Sequence, residues 1–223
     1  MDAEQIARLF TVPVSACVAT PEMYGAQLFP QEQDAVAKAV VRRRREFAAG
    51  RACARAAPSG LGLIAGPIAV GADRGPVWPH GYLGSITHCD GFCCAIAARS
   101  SAVRGLGIDV EGADPFEPEM ARLICRPDEL ARFAAVPGPT GSSWPKLAFS
   151  AKEAFYKCYR PLAATVLDFL DVSVWFSPGQ TASEGRFRIA LEAPGKPLDG
   201  LQSAFRGRWR IEAGRVHAGV TLL

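Results

Sequence analysis

A chain of 223 residues, 49% hydrophobic and 21% charged, is long enough for one substantial core or for two small lobes, and it has no uninterrupted apolar run of the ~18 residues needed to span a bilayer. Its net charge of +3 is too mild for a dedicated nucleic-acid binder, although Arg42 to Arg45 form a local basic run. Seven cysteines without paired CxxC motifs argue against a disulfide framework and a structural zinc site, and the acidic start MDAEQIARLF lacks the pattern of a secretory signal, so the expected location is the cytoplasm.

In chain order, the Ala- and Arg-rich stretch from Gln31 to Ala57 contains no proline and predicts a long helix. Residues 58 to 82 are punctuated by glycine and proline and hold at most one short strand, LIAGPIAV. LGSITH, FCCAIAA and GLGIDVE follow as strands separated by short turns, an arrangement that suggests an antiparallel meander. A helix is expected near DELARFAA and a loop from Pro137 to Pro145. A second strong helix is expected in KLAFSAKEAFYKCYRPL, with Ser150 as N-cap and Glu153 at the capping-box position. The tail alternates as strands do in RFRIALEA, SAFRGRWRIEA and RVHAGVTLL. Helix followed by strands thus occurs twice, which points to two similar halves.

The chemistry-bearing residues begin with GIDVE. Side chains alternate along a strand, so Asp109 and Glu111 share a face, roughly 6 to 7 Å apart. Two carboxylates so placed either share one hard cation or line a solvated edge. On the helix that follows, Glu153 and Lys157 are four residues apart and therefore neighbours, while Lys152 points about 100° away. They are either a surface ion pair or an extension of an oxygen-ligand set, with lysines beside it to neutralise phosphate. Arg43, Phe47, Arg51 and Arg55 recur every four residues as one slanting stripe, which is either a solvated basic face or a phosphate clamp. His88 in GSITHCDG sits at a strand end, where it is either structural or a donor to an anion. Cys89, Cys93 and Cys94 cluster in sequence and are either small buried hydrophobes or a catalytic thiol, which would need a base partner.

The segments RRRREFAAGRACARAA, GPVWPHGYLGSITHCDG, GIDVE and FSAKEAFYK, in that order over roughly residues 40 to 160, resemble the 4'-phosphopantetheinyl transferases, in particular the longer monomeric type and its enterobactin-type bacterial branch. The resemblance implies an α+β pseudo-dimer of two similar halves, each a helix packed on a small antiparallel sheet, with the active site in the cleft between them. Residues 1–105 would form the half that grips the 3'-phosphate of coenzyme A. Residues 106–223 would form the half carrying the metal and catalytic groups. By the same resemblance, Asp109, Glu111 and Glu153 hold Mg²⁺ against the pyrophosphate of coenzyme A. Lys157 and Lys152 contact phosphates, and Arg43, Arg51 and His88, flanked by Ser85 and Thr87, grip the 3'-phosphate or pyrophosphate. Many relatives carry a lysine just before the WP segment, where this chain has Gly75 preceded by Arg74; Arg74 is assigned that contact.

The implied reaction is Mg²⁺-dependent transfer of 4'-phosphopantetheine from coenzyme A to a serine of an apo acyl or peptidyl carrier domain, releasing adenosine 3',5'-bisphosphate. The expected catalytic residues are Glu153 as base, Lys157 and Asp109. The protein is expected to act as a monomer, with the carrier domain and coenzyme A as partners and no nucleic acid. Two rival classes keep the same residues: a basic binding module whose affinity falls steeply with salt and ignores Mg²⁺, and a Mg²⁺-dependent nucleotide phosphohydrolase using water as nucleophile.

Overall fold

The computed structural model describes residues 1–63, 66–163, 166–192 and 205–223. The chain divides into two compact units, Met1–Leu106 and Gly107–Leu223. The fold is α+β, and each unit sets one long helix against an antiparallel sheet.

The first unit contains α1 (Ala3–Ala7), β1 (Ser15–Val18), α2 (Pro30–Gln33), α3 (Val41–Ala56), β2 (Tyr82–Cys89) and β3 (Phe92–Arg99). Its three strands are ordered β1-β3-β2, both pairings antiparallel, with Ser85 opposite Ile96 and His88 opposite Cys93. The apolar positions of α3 pack on β3, burying Cys53, Ala54 and Ala57 against Ala95 and Ala97. Small side chains let helix and sheet approach closely. The helix expected from Gln31 to Ala57 is broken: α2 and a 3-10 turn end at Val36, and α3 starts anew at Val41. Of the strand expected in LIAGPIAV, residues 64 and 65 lie outside the described residues, and the rest makes only an isolated bridge between Val70 and Pro76. Strand β1 carries no sequence signal, because its four residues are all only partly buried and do not alternate.

Strand β4 (Gly105–Gly112) does not complete a meander with β2 and β3. It pairs instead with the last strand of the chain, in a five-stranded sheet ordered β4-β8-β7-β6-β5. The remaining elements are α4 (Pro118–Ile124), α5 (Pro127–Ala134), α6 (Trp144–Tyr159), β5 (Val172–Pro178), β6 (Glu184–Leu191), β7 (Arg206–Glu212) and β8 (Arg215–Leu222). Leu147, Ala148, Ala151, Ala154, Phe155 and Cys158 of α6 bury against Val216, Ala218, Val220 and Leu222 of β8, which alternate toward the helix. The strands expected in the tail are present, although residue 193 and residues 203–204 of those segments lie outside the described residues. Helix α6 begins earlier than expected. Ser143 is its N-cap, its Oγ accepting from Lys146 N at 3.4 Å, and Pro145 sits in the first turn, where a missing N–H costs nothing. Ser150 is a fully buried interior residue of that helix, not a cap.

Candidate active site

Helix α6 lies close on β4 because residue 107 is glycine: a Cβ there would run into the Ala154 carbonyl. This approach sets Lys157 beside the strand, where Nζ donates to Asp109 Oδ1 at 2.7 Å and to the Ile108 carbonyl at 3.1 Å. Asp109 is 3% exposed. Glu111, two residues on, has Oε2 3.9 Å from Lys146 Nζ. Burial, and then the charge of Asp109, pushes the carboxyls of both Glu111 and Glu153 above the ordinary glutamate value.

Three carboxylates are therefore within electrostatic reach of one another, and two of them resist ionisation. This is the charge pattern that a divalent cation relieves, and oxygen donors suit magnesium. The three do not converge as a finished ligand cage, however: among the described residues no group of three or more His, Cys, Asp or Glu side chains is placed to hold a metal ion. Asp109 is turned to Lys157 and Glu111 faces Lys146. The set fits an ion that takes one or two carboxylates and completes its shell with water and substrate oxygens.

Lys152 does not belong to this group. It is fully buried, and its ammonium donates to Glu129 Oε2 at 2.7 Å, the Ile124 carbonyl at 2.8 Å and the Phe169 carbonyl at 2.9 Å. All three N–H groups are spent, so the expected phosphate contact is corrected to a structural ion pair. Glu129 also accepts from the backbone N–H groups of Arg126 and Val174.

In the first unit, Arg43 of α3 donates to Nε2 of His88 on β2. Arg51 stacks its guanidinium 4.3 Å from the centre of the Phe47 ring, is 6% exposed, and leaves Nε without a hydrogen-bond partner. Burial pushes that guanidinium down to about 10. Arg55, on the same stripe, is taken by buried Glu32, with NH1 2.8 Å from both carboxylate oxygens. Two other arginines of the run are engaged, Arg42 with Glu46 and Asp90, and Arg44 with the carbonyls of Ala37 and Ala39. Ser85 and Thr87 stand on the same strand as His88. Strand alternation puts Ile86 and His88 toward α3 and turns Ser85 and Thr87 to the opposite face, where they are 3% and 2% exposed. Arg74 lies in an exposed turn at φ 68°, its N–H bonded to the Gly71 carbonyl.

All seven cysteines are free. Burial pushes the thiols of Cys125 and Cys158 up to about 12, so these two are inert core residues at neutral pH. Lys146, which the sequence reading did not single out, shares a helix face with Glu153 and Lys157 at i, i+7 and i+11.

Residues 31–98 match the 4'-phosphopantetheinyl transferase N-terminal domain, and residues 105–207 match the 4'-phosphopantetheinyl transferase superfamily. The chain is 35% identical over 222 residues to 4'-phosphopantetheinyl transferase PptT of Mycobacterium tuberculosis, covering 97% of each chain. It is 37% identical over 197 residues to 4'-phosphopantetheinyl transferase Svp of Streptomyces mobaraensis, covering 87% of this chain and 78% of that one. Enterobactin synthase component D of Salmonella typhi is 33% identical over 136 residues, 59% of this chain and 55% of its own. With both halves of the family pattern present in order and near full-length similarity to a named member, this chain belongs to the 4'-phosphopantetheinyl transferase superfamily.

Proposed function

We propose that the acid and lysine cluster of β4 and α6 performs the family's reaction, transfer of the 4'-phosphopantetheine arm of coenzyme A to a carrier protein. The observation that carries this reading is the Lys157–Asp109 contact at 2.7 Å, set beside two glutamates whose carboxyls are pushed upward. In the reaction a serine hydroxyl of the carrier loses its proton and its oxygen bonds to the β-phosphorus. The bond from that phosphorus to the adenosine-side oxygen breaks, and adenosine 3',5'-bisphosphate leaves.

Glu153 takes the proton, since a carboxylate raised toward neutrality is a better base than an ordinary one. Lys157 neutralises charge that develops on the phosphates. Asp109 and Glu111, with Glu153, would hold Mg²⁺, which when bound supplies charge neutralisation at the pyrophosphate. Arg43, His88 and Arg51 would receive the 3'-phosphate. The support for this is that Arg43 and His88 already meet and Arg51 holds a buried donor with no partner. Arg74 is the remaining candidate for that contact.

Mass spectrometry of an apo acyl or peptidyl carrier domain, incubated with the full chain, coenzyme A and Mg²⁺, tests the reading. The expected result is a carrier heavier by one phosphopantetheine arm, together with adenosine 3',5'-bisphosphate. Nucleotide hydrolysis with an unmodified carrier would instead establish the phosphohydrolase reading. Salt-sensitive, Mg²⁺-indifferent polyanion binding without transfer would establish the basic module.

A further inference from the structure

Helix α6 carries three lysines, and they differ in how their ammonium hydrogens are used. Lys152 spends all three on a carboxylate and two carbonyls, and Lys157 donates to one carboxylate and one carbonyl. Lys146 is 8% exposed, yet among the described residues it has no acceptor within hydrogen-bond distance. Its Nζ lies 4.0 Å from the centre of the Phe116 ring, 5.9 Å from that of Phe149 and 3.9 Å from Glu111 Oε2. Ring faces and a loose ion pair hold the charge in place but do not use its donors. The stem is buried but Nζ is not among the buried polar atoms sealed from solvent, so its donors remain open to an acceptor that the protein itself does not provide.

The placement says what that acceptor is. Lys146, Glu153 and Lys157 fall within about 20° of one line along the helix, so Lys146 belongs to the same face as the base and the phosphate lysine. The carboxylate it abuts, Glu111, has a side chain 28% exposed, so solvent and solutes reach this point. We propose that Lys146 is a donor-binding residue of the transferase, its ammonium donating to an anionic pyrophosphate oxygen of coenzyme A together with Lys157. This is the task expected of Lys152, which is fully spent on Glu129 and two carbonyls. The inference rests on the reaction proposed above.

Lys146→Met keeps most of the side chain's length and bulk but removes the charge and the donors; Lys146→Arg keeps both. Calorimetric titration of coenzyme A and of 3'-dephospho-coenzyme A into the full chain, with Mg²⁺ present and no carrier, measures the contribution. Lys146→Met is expected to weaken both ligands by the same factor, roughly tenfold or more, the scale of a charge-assisted hydrogen bond. Lys146→Arg is expected to recover most of that loss, and the thermal midpoint of unliganded Lys146→Met should stay near that of the wild type. Wild-type affinity in Lys146→Met would overturn the proposal, as would a Lys146→Arg variant no better than Lys146→Met, which would mark a packing strut. Wild-type protein that binds no coenzyme A would overturn the reaction itself, a failure visible before any variant is compared.

Discussion

Lys157 donates to Asp109 at 2.7 Å, joining the last turn of a helix to a strand 48 residues earlier. The pair is asymmetric in exposure: the Asp109 side chain is 5% exposed and that of Lys157 is 29% exposed. Asp109→Asn keeps the shape and an oxygen for Lys157 while removing the negative charge. Transfer should fall by roughly two or more orders of magnitude with the thermal midpoint little changed, because what is lost is a charged ligand and not packing. Turnover and thermal melts on the same preparation decide it, and an active, Mg²⁺-independent variant would contradict the assignment.

Lys152 should behave in the opposite way. Both members of the Lys152–Glu129 pair are fully buried, so Lys152→Met leaves a carboxylate inside the protein without its counter-charge. The expected cost is about 3 to 5 kcal/mol of unfolding free energy, measured by urea titration. Glu129→Gln with Lys152→Met should recover part of it. A stable Lys152→Met protein with lowered coenzyme A affinity would return Lys152 to the binding site.

Glu153→Gln separates chemistry from binding. Turnover should drop by roughly two or more orders of magnitude while coenzyme A binds within several-fold of the wild type. In the metal-free chain burial and Asp109 raise the Glu153 carboxyl, a shift that bound Mg²⁺ would oppose. The wild-type rate should rise with pH as the base ionises and then level. The variant should lose that rise.

Arg51 is expected to read the 3'-phosphate. Arg51→Ala should shrink the preference for coenzyme A over its 3'-dephospho form by roughly 1 to 3 kcal/mol, the scale of a charge-assisted hydrogen bond. Equal loss for both ligands would make Arg51 a structural residue stacked on Phe47.

His217 on β8 offers a stability test remote from the chemistry. Burial is the main cause that lowers its pKa from 6.5 to about 4. Between those values the unfolded chain binds the proton that the folded chain refuses, so stability falls as pH drops from 6.5 and levels below about 4. The full loss is roughly 3 kcal/mol. Urea unfolding at pH 7.5 and 4.5 should show a smaller pH difference for His217→Leu than for the wild type. An equal difference would show that this histidine does not contribute.

What the sequence by itself determined was local. The short β-type runs GSITH, FCCAIAA and GIDVE, set off by turns, predict strands, and side-chain alternation along a strand places Asp109 and Glu111 on one face. The four-residue spacing of Glu153 and Lys157 makes them neighbours on any helix. Both properties depend on backbone geometry alone. Ser143 and Pro145 were also local signals of where α6 begins, and reading Ser150 as the cap hid Lys146 from view. Only the tertiary structure decided which basic groups have donors left. Arg55 is consumed by Glu32, which is 23 residues away, and Lys152 by Glu129, also 23 residues away, whereas Arg51 keeps a buried Nε without a partner and Lys146 meets Glu111 only in a loose pair at 3.9 Å. Strand β4 likewise leaves the expected meander for β8, a pairing across most of the second unit. Partner choice follows from which elements pack together, and a buried charge is satisfied or left in reserve according to contacts that no local pattern encodes.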